Sequence, residues 1–192
     1  MGNLTDHFAS GSGGGSNILE HIEYYADGRT VTTLKGDVTV QNVTSYLNLT
    51  TAWVDYPGSV IEYTPPDDTK YVHYSINWKG MHGDANNIIH LQAYLDNSSG
   101  TPTAIAQSRA TYYQRSSYDI VYNLKTSVSL GNASEDIAAG QLATWDSART
   151  LKWMIREYSS SYEYVVNRQY HWNGTGIYFD NAQPIMTIIA TK

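Results

Sequence analysis

Apolar and polar positions alternate with a period of two over much of this chain, and the stretch from 71 to 78 shows the pattern most clearly. Every second side chain there is large and apolar: Val72, Tyr74, Ile76 and Trp78. A period of two places those side chains on one face of an extended segment and the intervening polar ones on the other. The stretch is therefore predicted to be a half-buried antiparallel strand.

Turn residues divide the chain into such strands. The run Thr64–Asp68 contains two prolines, which remove backbone donors, and two aspartates, which favour local turns. We expect the chain to reverse there, so that 59–63 and 71–78 form a central hairpin. Asp27-Gly28 is a strong hairpin signal as well and predicts a first hairpin between 17–25 and 30–34.

The second half of the chain continues the pattern. We expect 103–114 and 118–128 to form an antiparallel pair, Asn173-Gly174 to mark a turn, and the apolar run 184–191 to be a central strand. About ten or eleven strands at regular spacing, with no long helical period, predict an all-β antiparallel sandwich of the jelly-roll kind. Parallel α/β folds are excluded because the crossover helices are missing.

Composition separates the chain into two parts. Residues 1–16 include a Gly/Ser-rich run and predict a flexible N-terminal arm, whereas residues 17–192 predict one β-sandwich domain. The start lacks a basic region followed by an apolar one, so no ordinary signal peptide is expected. No apolar run approaches the roughly 20 residues that cross a bilayer, so we expect no membrane insertion.

Charge limits the partners. The chain has 192 residues and a formal net charge of −6, with no cysteine. Binding of phosphate backbones requires clustered Lys and Arg, so nucleic acid is not an expected partner. Disulfides and thiolate metal sites are impossible.

Histidines and carboxylates offer only weak signals for metal binding. His73 and His90 would lie on the outward faces of neighbouring strands with His82 between them, but no established ligand motif is present. The oxygen donors near Asp84 and Asp96 would suit calcium, yet such residues are also usual in turns. We expect no metal site and no cofactor.

The sequence also lacks a catalytic signature. No Gly-x-Ser-x-Gly elbow occurs. A carboxylate pair for glycoside cleavage could be assembled only in space, from Glu62, Asp67, Asp68, Glu157 or Glu163. We therefore expect that the protein is not an enzyme.

The 17 tyrosines are the more informative feature. Amphipathic rings suit protein interfaces and sugar-binding platforms, although tyrosines also stabilise sheets by stacking across strands. Several rings in the second half of the chain are expected to face outward. The predicted aromatic binding platform consists of Tyr112, Tyr113, Tyr118, Tyr162, Tyr170 and Trp172.

Five phrases resemble a group of virion structural domains of marine phages and other aquatic viruses, and together they extend over most of residues 13–190. They are GGGSNILEHIEYYADGRTV, VIEYTPPDDTKYVHYSINW, HLQAYLDNS, ATWDSARTLKWMIREYSSSYE and HWNGTG. The resemblance implies a fibre, tail or capsid-surface component with a jelly roll similar to the TNF/C1q type, which commonly forms trimers. It carries over no catalytic residues.

These observations lead to one expected function and two alternatives. We expect a viral structural protein, a homotrimeric jelly-roll head on the exterior of the virion, which contacts other virion proteins and mediates host attachment through surface glycans. One alternative is a monomeric carbohydrate-binding module that uses exposed Tyr and Trp. The other is a glycan-degrading enzyme on the same scaffold.

Overall fold

The fold is described from a computed structural model of the chain. The structure describes residues 17–82, 87–114, 120–172 and 177–192. The predicted N-terminal arm, residues 1–16, lies outside the described residues. Within those residues, no helix has the length and apolar character needed to cross a membrane.

Sixteen strands and one short 3-10 helix, Ala106–Ser108, make up the regular structure of the described residues. The strands are β1 (Ile18–Tyr25), β2 (Thr30–Thr33), β3 (Gly36–Thr39), β4 (Leu47–Asn48), β5 (Val54–Asp55), β6 (Ile61–Tyr63), β7 (Tyr71–His82), β8 (Asn87–Asp96), β9 (Pro102–Ala104), β10 (Ala110–Gln114), β11 (Ile120–Ser129), β12 (Arg149–Glu157), β13 (Tyr164–Val166), β14 (Arg168–Trp172), β15 (Ile177–Asn181) and β16 (Ile185–Thr191).

Two antiparallel sheets contain most of these strands. In sheet I the order is β1-β16-β7-β11. Strand β13 pairs with the C-terminal end of β7, on the same edge of β7 as β16, and β4 pairs with β13. In sheet II the order is β10-β8-β12. Strands β5 and β6 both pair with the other edge of β12, and β9 pairs with β8 on the same edge as β10. Two hairpins, β2–β3 and β14–β15, form small sheets of their own.

The pairing of the eight main strands defines the fold as a jelly roll. In chain order these are β1, β6, β7, β8, β10, β11, β12 and β16, and they pair as nested couples: first with eighth, second with seventh, third with sixth and fourth with fifth. This pairing is a long antiparallel hairpin rolled up on itself, which is the two-Greek-key arrangement. The predicted all-β sandwich is therefore confirmed, whereas likeness to the TNF/C1q type stays a prediction.

Three predicted strand pairings are wrong, two of them because the jelly roll sends the strands on either side of the turn to opposite sheets. The Thr64–Asp68 turn does not close a hairpin: β6 pairs with β12 in sheet II, and β7 belongs to sheet I. β10 and β11 separate in the same way, pairing with β8 and β7. In place of the predicted first hairpin, β1 pairs with β16 and β2 pairs with β3.

The predicted inward face of β7 is confirmed. Val72, Tyr74, Ile76 and Trp78 are all buried in the core between the sheets. Sheet II supplies the opposing layer from β8 and β12, where the inward positions are Ile89, Leu91, Ala93, Leu95, Leu151, Trp153 and Ile155. The last strand, β16, is central as predicted, because it lies between β1 and β7.

Candidate functional site

Two residues of the predicted aromatic platform lie on opposite faces of β10. Tyr112 pairs with the inward residue Ile89, and its ring lies 4.8 Å from that of the buried Tyr122. Burial raises the pKa of the Tyr112 hydroxyl. Tyr113 points outward and is 54% exposed. The two rings therefore do not form one surface, because adjacent residues of a strand face opposite ways.

The other four platform residues are spread along the chain. Tyr162 is half-buried in the turn after β12, where its N–H donates to the carbonyl of Ser159. Tyr118 lies outside the described residues. Tyr170 and Trp172 occupy positions of β14 opposite Phe179 and Ile177, and their side chains also lie outside the description. A single platform made of all six residues stays a prediction.

The expectation that His73 and His90 lie on neighbouring strands is wrong. His73 is on β7 in sheet I and His90 on β8 in sheet II, and both point away from the core. The two imidazoles therefore lie on opposite outer surfaces of the sandwich. Across the described part of the chain, no three His, Asp or Glu side chains come together in a way that could hold a metal ion.

Many of the aromatic side chains are in the core. The indole of Trp78 lies 5.1 Å from the ring of Tyr56 and 4.4 Å from that of Tyr122, and it meets Tyr164 edge-on at 6.2 Å. Burial raises the pKa of Tyr56 and Tyr164 well above its usual value. These hydroxyls stay protonated at any physiological pH, so this part of the aromatic excess stabilises the sandwich.

A second group of aromatic side chains lies on the outward face of sheet II. The Tyr158 ring is 58% exposed and lies 5.9 Å from the imidazole of His90. Trp53, just before β5, lies under the guanidinium of Arg156, whose central carbon is 5.2 Å from the ring centre. With Tyr113 and Arg109 these residues form what we call the aromatic–arginine cluster, which consists of Trp53, His90, Arg109, Tyr113, Arg156 and Tyr158.

Strand pairing explains why these side chains meet. Arg156, His90 and Thr111 are cross-strand partners on β12, β8 and β10, so they form one row across the sheet. His90 Nδ1 and Thr111 Oγ1 share a hydrogen bond of 2.9 Å. The N–H of Tyr158 donates to the carbonyl of Ile88, which holds the Tyr158 ring beside the row. The row extends over about 10 Å at the usual strand spacing.

The aromatic–arginine cluster is locally positive on an acidic protein. Arg156 and Arg109 form no ion pair in the described residues, although the neighbouring Lys152 is paired with Asp55 at 2.8 Å. Burial lowers the pKa of His90, and the charges of Arg156 and Arg109 lower it further. His90 is therefore neutral at neutral pH, and the positive charge of the cluster comes from its two arginines.

The outward face of sheet I has a different character. Apolar side chains that point outward from β1, β16, β7 and β11 include Tyr25, Tyr71, Val121, Ile185 and Ile189. Three formally charged residues share this face: Glu23, Lys79 and Lys125. We call it the sheet I outer face.

One buried carboxylate lies at the end of β12. Glu157 is 2% exposed, and its side chain accepts a hydrogen bond from the backbone N–H of Tyr164. Burial is the largest effect on its pKa and raises it, and Glu163 raises it further, while the hydrogen bond from Tyr164 acts in the opposite direction. The arrangement closes the turn between β12 and β13.

Replacing Glu157 with glutamine should reduce the pH dependence of stability. A carboxyl whose pKa is raised by folding binds its proton more readily in the folded state than in the unfolded state. The free energy of unfolding therefore rises as the pH falls, and the ionised carboxylate lowers it at neutral pH. Glutamine keeps the acceptor for the Tyr164 N–H. Urea unfolding at pH 7 and pH 5 should show that E157Q gains stability relative to the wild type mainly at pH 7. An equal effect at both values would contradict the raised pKa.

The fold and this site together define a jelly-roll domain with an aromatic, cationic outer surface. No protein-family model and no curated protein matches the sequence. Solved structures that are similar include infectious bursal disease virus of the Gx strain, with 8% identity over 91% of this chain and a TM-score of 0.36. The Gt strain of that virus matches with 10% identity over 85% of this chain and a TM-score of 0.32.

A mutant VP2 protein of infectious bursal disease virus, in derived T=1 particles, also matches, with 10% identity over 85% of this chain and a TM-score of 0.31. The chain spans 37%, 47% and 41% of the three structures' own chains, so it is less than half their length. These similar structures are viral.

Proposed function

We propose that this protein is a structural component of a virion, a homotrimeric jelly-roll head displayed on the exterior of the particle. The main support is the nested pairing of its eight core strands, since the double-sheet jelly roll is a fold of capsid and lectin domains. A fold alone does not define a function. The resemblance of residues 13–190 to virion structural domains directs the choice toward the virion.

The proposed role includes contacts with other virion proteins and attachment to host-surface glycans. It includes no catalysis, and incubation with a broad panel of polysaccharides is expected to release no product. A direct test of the virion role uses antibodies against the domain on purified intact particles. Labelling of the particle surface is expected, and a protein found only in infected cells and not in particles would refute the proposal.

Self-association is proposed to occur through the sheet I outer face. Tyr25, Tyr71 and Val121 on this face are 50%, 48% and 60% exposed in the single chain. Aromatic side chains are enriched in interface cores, and charged ones are depleted there. Three copies arranged about a threefold axis would bury this face and would repeat any glycan site three times on one surface.

Introducing lysine on the sheet I outer face should dissociate the trimer. Tyr25→Lys with Val121→Lys places six charges in the proposed trimer interface, and we expect the protein concentration at half-assembly to rise about tenfold or more. Analytical ultracentrifugation measures the shift. The control is Leu34→Lys on the β2–β3 turn, where an apolar side chain is 68% exposed outside this face. An equal effect of the control would contradict the assignment of the interface.

A second candidate function is a carbohydrate-binding module that acts as a monomer. The aromatic–arginine cluster favours this candidate, because exposed rings beside unpaired arginines suit a sugar ligand. Oligomeric state separates the two candidates. A protein that binds glycan as a monomer and shows no trimer at micromolar concentration would favour the module over the virion head.

A further inference from the structure

We propose that the aromatic–arginine cluster on the outward face of sheet II binds an anionic saccharide, of the kind that carries a uronic-acid carboxylate. The proposal deepens the attachment role proposed above by naming residues and a ligand class. It depends on the geometry of a single chain, so it can be tested whether or not the chain forms a trimer.

The charge of the aromatic–arginine cluster favours an anionic ligand. The whole protein has a formal net charge of −6, and four of the cations in its described residues are paired with carboxylates: Arg29, Lys35, Arg149 and Lys152. Arg156 and Arg109 are different, since they lie on either side of His90 without an acidic partner in the described residues. Two unpaired arginines on one face of an acidic protein favour an anion there by charge complementarity.

The guanidinium of Arg156 has hydrogen-bond donors that the protein itself does not use. The guanidinium of Arg156 makes one long hydrogen bond, from Nη1 to the carbonyl of Thr51 at 3.5 Å. Its Nε is buried without a partner among the described residues, so the terminal Nη1 and Nη2 groups are the ones left to meet a ligand. The ring of Trp53 holds the guanidinium in place by stacking. A planar guanidinium fixed in this way presents the fork of N–H groups that a carboxylate accepts in a bidentate pair.

The neighbouring aromatic rings have a shape and chemistry that suit a sugar. The rings of Tyr158 and Tyr113 are more than half exposed. Both residues lie next to Ile88, two positions before His90 on β8, so the two rings are on the same side of His90. Aromatic faces provide apolar contact area with a polar hydroxyl at the edge, which suits the mixed C–H and O–H surface of a sugar ring. Rings that hold the sugar, beside arginines that hold its carboxylate, select an acidic saccharide over a neutral one.

Titration calorimetry with short oligosaccharides tests the proposal without avidity. The probes are oligogalacturonate, alginate oligosaccharide and the fully methyl-esterified oligogalacturonate, which is neutral on the same backbone. Binding of an acidic probe and at least tenfold weaker binding of the ester are expected, since the ester cannot form the charge-assisted pair with an arginine. Equal binding of the ester, or no binding of either acidic probe at millimolar concentration, would overturn the proposal.

Substitutions locate the site. R156Q should weaken binding of the acidic probe about tenfold or more, and R109Q and Tyr158→Ser should each weaken it severalfold. Lys70→Gln is the matched control, because it removes one exposed positive charge outside the cluster. Because Arg156 also packs on Trp53, near-ultraviolet circular dichroism checks that the R156Q variant keeps its fold. R109Q alters only an exposed side chain and needs no such check. If the acidic probe still binds R156Q and R109Q with unchanged affinity, or if the control weakens binding equally, the ligand binds elsewhere on the protein.

Failure here and failure of the proposed function are distinguishable. A trimer that labels on the particle surface but binds no acidic saccharide would keep the virion role and remove this site. A monomer that binds the acidic probe would keep the site and remove the trimeric head.

Discussion

Replacing Trp78 with alanine is expected to lower the free energy of unfolding by about 3–5 kcal/mol. The indole is 1% exposed and has ring contacts with Tyr56, Tyr122 and Tyr164. Its Nε1 has no hydrogen-bond partner among the described residues, so the loss comes from packing rather than from a polar contact. Alanine would leave a cavity that the rigid neighbouring rings cannot close.

Equilibrium urea unfolding measures the effect, and Trp53→Ala provides the matched control. Trp53 is half-buried on the outer surface of sheet II, so its removal should cost far less than that of Trp78. If W78A fails to fold, Trp78→Phe should still fold with a smaller loss. Equal costs for the two alanine variants would contradict the position of the core between the two sheets.

Replacing Gly58 with alanine is expected to cost about 2–5 kcal/mol. Gly58 has φ +92°, in the left-handed region that costs other residues about 1–2 kcal/mol. A Cβ there would lie 2.6 Å from Pro184 Cγ and 2.7 Å from Ala26 Cβ. Overlap of this size forces a shift in packed surroundings, at about 1–3 kcal/mol. Both neighbours belong to the junction between β1 and β16, so the strain acts on the pairing that closes the jelly roll.

Gly100→Ala separates the two contributions. Gly100 also has a positive φ, +78°, but a Cβ there would meet nothing within 4 Å. G100A should therefore cost only the backbone strain, and G58A should cost more in the same urea unfolding experiment. Equal stability of the two variants would contradict the close packing that the structure shows at the β1–β16 junction.

Alternation in the sequence was enough to predict which side chains face inward. On β7 the buried residues Val72 and Trp78 are those that the period of two selects, because burial of a strand face is a local property of the sequence. The partner of each strand is not local. β1 pairs with β16 from the opposite end of the chain, and the turn at Thr64–Asp68 passes the chain from one sheet to the other. Turn chemistry indicates a reversal but not the sheet that the next strand joins.

The candidate site shows the same limit. The predicted platform includes both Tyr112 and Tyr113, yet only Tyr113 faces outward, and Tyr112 packs against Tyr122 in the interior. Trp53 and Arg156 meet because β5 pairs with β12, and no spacing in the sequence connects two residues so far apart. The count of aromatic residues could not separate rings that fill the core from rings on a surface. That separation required the register of the sheets.

The solution mass of the full chain tests the proposed assembly most directly. One chain has a mass of 21.4 kDa. Sedimentation equilibrium at micromolar protein concentration should give a mass about three times that value, since the proposed trimer places the sheet I outer faces of three copies around a threefold axis. A single species at the mass of one chain, across the same concentrations, would contradict the trimeric head.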